Sequence, residues 1–101
     1  MIFDVWSWDA NPGKAGEATN WAVRAAELFN SVGEAKARVV RPRSGNMMAV
    51  YFVTEAETQA VLEDCWEKHW ANKAHTEMMK THAEVFNQNT SRRYQYHEVT
   101  S

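Results

Sequence analysis

The sequence predicts an α+β fold of the ferredoxin-like kind, β-α-β-β-α-(α)-β, with four strands in one antiparallel sheet. Three observations predict it. The stretch Asn46–Trp70 (NMMAVYFVTEAETQAVLEDCWEKHW) reads as a strand running straight into a helix. Short two-sided apolar runs and helical stripes then alternate in an order that makes two strand–helix–strand halves. Finally, the first and third strands are apolar on both faces, whereas a sheet with helices on one side and water on the other should be polar on its outer face. A second copy of the same sheet is the simplest cover, so the expected assembly is a homodimeric α+β barrel.

Ile2–Trp8 is the first strand, with Ile2, Asp4, Trp6 and Trp8 on one face and Phe3, Val5 and Ser7 on the other. Asp9–Gly13 is a turn, with Asn11 as a cap and Pro12 as a first helical residue. Over Ala15–Val32, residues Ala18, Trp21, Ala22, Ala25, Leu28, Phe29 and Val32 recur along one helical stripe, and Gly33 is placed to end the helix in a left-handed conformation. Glu34–Arg41 is the most polar strand and suits an edge; Pro42–Gly45 turns the chain. The third strand is Met47–Val53. Thr54-Glu55-Ala56-Glu57 then fits a capping box, so a helix is expected from Glu55. That helix presents Leu62, Cys65, Trp66, His69 and Trp70 on one side. Its phase is lost near Ala71–Ala74, and a second amphipathic run holds His75, Met78, Met79, His82, Val85 and Phe86, so a short additional helix is expected over Thr76–Asn87. Asn87–Ser91 is a polar loop and Arg92–Val99 the last strand.

One hundred and one residues make a single domain, 1–101. Five Trp, four Phe and three Tyr are many large rings for so small a core, and a dimer interface or a ligand cavity should absorb the excess. A net charge of −2 argues against nucleic-acid binding. The cluster Lys36, Arg38, Arg41 and Arg43 reads as a solvated edge. An RNA-recognition module shares the element order, but Gly45–Phe52 loses two of its three stacking-aromatic positions. The single Cys65 excludes an internal disulfide and makes a reducing cytoplasm the default location. No window approaches the ~20 apolar residues of a membrane span, and no secretory signal is expected.

Candidate chemistry gathers on the apolar stripes. His69, His75 and His82 all lie there, where a histidine can bind a substrate oxygen, act as a general base or ligate haem iron; the ordinary alternative is a hydrogen-bonded core residue. His69 and His82 are the catalytic candidates. Spacings of six and seven residues do not match a helical zinc pair, so no metal is expected. Trp6, Trp8, Tyr51, Trp66 and Trp70, with His75 and Met78, are the expected walls of a flat aromatic pocket, with soft thioethers among them. Asp4 is expected to pair with Arg92 or Arg93 across the sheet.

Three stretches resemble the dimeric α+β barrel superfamily, in particular its antibiotic-biosynthesis-monooxygenase-like branch. Asn11–Glu17 (NPGKAGE) is similar to that family's Pro-Gly-Lys entry to the first helix, Ala37–Pro42 (ARVVRP) to its second strand, and Val50–Glu57 (VYFVTEAE) to its third strand and following helix. The resemblance implies a homodimer with a pocket between sheet and helices in each subunit. It also implies activities such as cofactor-free oxygenation of aromatic polyketides, isomerisation or haem degradation. The haem-degrading branch carries an Asn on the first strand, a Trp near the end of the third and a His on the next helix. Here the first strand has no Asn and the third ends in Phe52-Val53; only the helical histidines remain. The expectation is therefore a dimer binding a hydrophobic aromatic small molecule without a cofactor, as a monooxygenase or isomerase. The alternative is a non-catalytic module holding haem or a metabolite.

Overall fold

A computed structural model describes residues 1–100. Four strands, β1 (Ile2–Asp9), β2 (Lys36–Val40), β3 (Ala49–Ala56) and β4 (Arg92–His97), form one sheet in the order β2-β3-β1-β4. All neighbours are antiparallel. Helices α1 (Ala15–Asn30), α2 (Gln59–Ala71), α3 (Lys73–Met79) and α4 (His82–Val85), and a 3-10 turn at Gln88–Thr90, complete the ferredoxin-like order. The polar β2 and β4 are the edges, as their composition requires.

Register decides which side chains meet. Trp6 lies opposite Phe52 and Arg93, Trp8 opposite Val50, and Asp4 opposite Thr54 and Gln95. These residues face the helices, where Val50, Phe52 and Ala56 join Ala18, Trp21, Ala22, Ala25 and Phe29 of α1 and Leu62, Cys65 and Trp66 of α2 in one core. The alternate set, Phe3, Val5, Tyr51, Val53, Tyr94 and Tyr96, forms the other face. Among the described residues no helix covers it, and Tyr94 and Tyr96 are 57% and 55% exposed. Tyr51 therefore sits outside the space between sheet and helices.

Several expected boundaries move. Thr54 is not a cap: it is fully buried in β3, with its hydroxyl 3.4 Å from the Asp4 carbonyl. β3 must run on to Ala56 because β1 begins opposite it at Ile2. The cap is Thr58, whose hydroxyl accepts the Val61 N–H at 3.2 Å, so α2 starts at Gln59 rather than Glu55. Glu55 instead pairs with Arg38 across the strands at 3.2 Å. Met47 and Met48 lie in the turn before β3. Asn11 caps no helix; its amide donates to the Ala83 carbonyl, and Lys14 precedes α1. Gly33 is not left-handed. It is needed because a β-carbon there would collide with the Cys65 sulfur. The helix expected over 76–87 is two shorter ones, and β4 ends at His97. Arg41, expected on a solvated edge, is instead engaged within the protein: its guanidinium is taken by the Ala49 and Met47 carbonyls and the Thr19 hydroxyl. Among the described residues no helix is long and apolar enough to cross a membrane.

Candidate functional site

Between the sheet and the helices lies a cavity of about 160 Å³, and all five tryptophans line it. Trp6 and Trp8 rise from β1, with Val50 and Phe52 of β3 beside them. Trp66, His69 and Trp70 come from α2, His75 and Met79 from α3, and His82 and Phe86 from α4 and its end. The fourth wall is α1, which contributes Trp21 with Ala22 and Ala25. The cavity exists because rings crowd three sides while this wall, beside Trp21, is cut back to the methyl groups of Ala22 and Ala25. Trp70 and Met79 are 45% and 42% exposed and mark the opening.

The rings are held in place. Trp6 stacks on Trp8 at 5.4 Å and 14°, meets Trp66 edge-on at 5.5 Å, and donates its indole N–H to Ser91 at 3.2 Å. The Arg93 guanidinium lies 4.8 Å from the Trp6 ring centroid. Arg93 is fixed in turn by Asp4: its Nε donates to both carboxylate oxygens at 3.1 Å, and a terminal nitrogen donates at 2.7 Å. The expected Asp4–arginine pairing is thus made with Arg93. Trp21 donates to the Met78 carbonyl at 3.1 Å.

The histidines arrive by a break in the helix. Asn72 leaves helical geometry at ψ 123°, and its side chain caps α3 by accepting the Ala74 N–H. In one continuous helix residues six apart would diverge. The break folds His75 back onto His69, with ring centroids 4.1 Å apart. His82 stands edge-on to Trp8 and Trp21 at 4.7 and 4.9 Å. Burial, with His75 alongside, pushes the His69 imidazole down to about 4. Burial also lowers His75 and His82 below their usual 6.5. All three are neutral at pH 7. Four buried ring nitrogens around this cavity have no partner among the described residues: Trp66 Nε1, His69 Nδ1, His75 Nδ1 and His82 Nε2.

Of the residues singled out from sequence, Trp6, Trp8, Trp66, Trp70, His69, His75 and His82 line this one cavity. Tyr51 does not, because strand alternation turns it to the opposite face. Met78 packs against the core, and its neighbour Met79 lines the cavity in its place, one helical step of 100° round α3. Trp21 and Phe86 were legible only as members of apolar helical stripes. Ala22 and Ala25, three apart on the stripe and facing large rings, are the pattern that marks a hollow.

Among the described residues no group of three or more His, Cys, Asp and Glu side chains is placed to hold a metal ion. The cavity would enclose only part of a haem. An apolar cavity of about 150 Å³ holds a single benzene, and this one is of that size, far short of a tetrapyrrole.

No protein-family model matches the sequence, and no curated protein does. Solved structures do resemble it. An uncharacterised NIPSNAP-domain protein from Burkholderia xenovorans superposes with a TM-score of 0.81 at 12% identity, covering 98% of this chain and 95% of that one. A proposed antibiotic biosynthesis monooxygenase from Bordetella bronchiseptica gives 0.75 at 16%, covering 98% and 97%. SnoaB, a cofactor-independent oxygenase from Streptomyces nogalater, gives 0.72 at 12%, covering 99% and 94%. The chain shares the fold of these structures over nearly its whole length. At these identities the likeness is one of architecture. The monooxygenase-like resemblance read from the sequence and the structural neighbours agree on that architecture.

Proposed function

We propose that this chain binds a small hydrophobic aromatic molecule in the tryptophan-lined cavity, as one half of a homodimer. The observation that carries the reading is the pairing of an apolar, ring-walled space with four buried, unpartnered ring nitrogens. Each such nitrogen costs about 1–3 kcal/mol of lost hydrogen bonding. A ligand with polar substituents on an aromatic frame recovers part of that cost. The enclosed volume suits one ring, and a larger ligand would extend past Trp70 and Met79. The second copy is assigned to the uncovered sheet face, where Phe3, Val5, Tyr51, Val53, Tyr94 and Tyr96 lie together.

The chemistry we assign is cofactor-independent: oxygenation or isomerisation begun by removal of a proton from the ligand. SnoaB, which shares the fold, is a cofactor-independent oxygenase. His69 and His82 are the buried imidazoles nearest that task, and the neutrality of His69 at pH 7 leaves a lone pair to accept a proton. The proton would leave an acidic C–H or O–H of the ligand, giving an enolate or phenolate for the onward reaction. Retention without turnover is the second reading, favoured by how little the histidine nitrogens are exposed to the cavity.

Native mass spectrometry of protein purified from its host tests both parts. The expected species is a dimer near 23 kDa (2 × 11.6) carrying a small-molecule adduct. Ala25→Leu, which puts three more carbons into the cavity, should remain a dimer and lose the adduct. A monomer would overturn the assembly, and an adduct retained equally by Ala25→Leu would overturn the site.

A further inference from the structure

His82 begins α4 beneath the indoles of Trp8 and Trp21. Its Nδ1 lies 2.8 Å from the Gln88 amide nitrogen, and that same nitrogen lies 3.0 Å from the Phe86 carbonyl oxygen. A carbonyl oxygen only accepts. The reversed amide would set two oxygens against each other, so the atom at this position is the nitrogen. An amide nitrogen only donates, so His82 Nδ1 must accept and is unprotonated. The proton of the neutral ring is then on Nε2, and Nε2 is buried without a partner. The indole N–H of Trp66, a donor under any protonation, is also buried and unpartnered, and Trp66 lines the same cavity.

We infer that Gln88 is a positioning residue that holds His82 in its Nε2-protonated form, so that His82 and Trp66 act as hydrogen-bond donors and the cavity selects aromatic molecules carrying a carbonyl, phenolate or enolate oxygen. The inference rests on the cavity being a ligand site. It divides the labour among the histidines: His82 stabilises charge on a ligand oxygen, and the proton goes to the His69–His75 pair, whose Nδ1 atoms are both free. Gln88 itself is exposed and lies six residues beyond His82.

Two readouts at pH 8.5, where the imidazole is neutral, test it. Nitrogen-15 NMR of the ligand-free protein reports the His82 tautomer. The expected pattern is a protonated Nε2 in the wild type and a protonated Nδ1 in Gln88→Glu, whose carboxylate can only accept. Gln88→Leu, which removes the amide, should give a mixture. The second readout is affinity for acetophenone against α-methylstyrene, which replaces the carbonyl oxygen with a methylene of the same shape. The wild type should prefer acetophenone about tenfold, and Gln88→Glu should reduce that preference to near unity. A wild-type Nδ1–H tautomer overturns the role of Gln88. A preference that survives tautomer reversal overturns the donor role of His82. If neither compound binds, the ligand-site reading fails and the selectivity falls with it, while the NMR result still decides what Gln88 does.

Discussion

His69→Phe should make the protein more stable in mild acid and flatten its response to pH. The His69 side chain is 1% exposed and packed among Phe29, Phe52 and Trp66, with centroids 5.4, 6.5 and 5.6 Å away, so a phenyl ring fills the same place. In the folded state its imidazole titrates at about 4, against 6.5 when unfolded. A folded-state value below the unfolded one means that the unfolded chain binds more protons between those limits. Stability is therefore full above pH 6.5 and is lost as pH falls toward 4. Two and a half units correspond to about 3 kcal/mol in total, of which about 2 kcal/mol is gone by pH 5. His75 and His82 are lowered too and add to the loss in the same direction. The substitution also removes one orphaned nitrogen, worth about 1 kcal/mol at neutral pH. Urea unfolding at pH 7.5 and pH 5 measures this. The wild type should lose at least about 2 kcal/mol more than His69→Phe between the two. Equal slopes for the two proteins would show that His69 is not held neutral by burial.

Three further outcomes are expected. Arg93→Met leaves the fully buried Asp4 carboxylate alone and should cost about 3 kcal/mol, much of it recovered by adding Asp4→Leu, as read by chemical denaturation. Gly33→Ala drives a methyl into Cys65 and should cost about 1–3 kcal/mol, with Cys65→Ala in the same chain recovering most of it. Tyr94→Glu places a charge on the uncovered face at a residue that a lone subunit leaves exposed; sedimentation should show monomer, with the circular dichroism spectrum unchanged.

Much of the architecture was legible because it is written in local periodicity. The two-sided apolar strands, the α1 stripe and the α2 stripe each declare themselves within a dozen residues. What escaped depends on partners far along the chain. Thr54-Glu55-Ala56-Glu57 is a better capping box on paper than Thr58-Gln59-Ala60-Val61. The pairing of Ile2 with Ala56 overrides it, and nothing near residue 54 reveals how long β1 is. His75 read as a member of a later stripe, yet the cap at Asn72 turns it onto His69. Seven of the residues proposed for the site do share one cavity, because helix stripes and strand alternation both point inward. Tyr51 failed that test on parity alone: it is one residue out of step with Val50 and Phe52. Gln88 could not be found at all, since a polar residue in a polar loop carries no sign of the ring it will meet.

The most direct measurement is the indole region of a proton–nitrogen correlation spectrum during titration with acetophenone. All five indoles line the cavity, so a ligand that enters it should move most of the five signals together and saturably, and Ala25→Leu should abolish the effect. Signals that stay fixed up to the solubility limit, or that move equally in Ala25→Leu, would contradict the assignment of this cavity as the binding site.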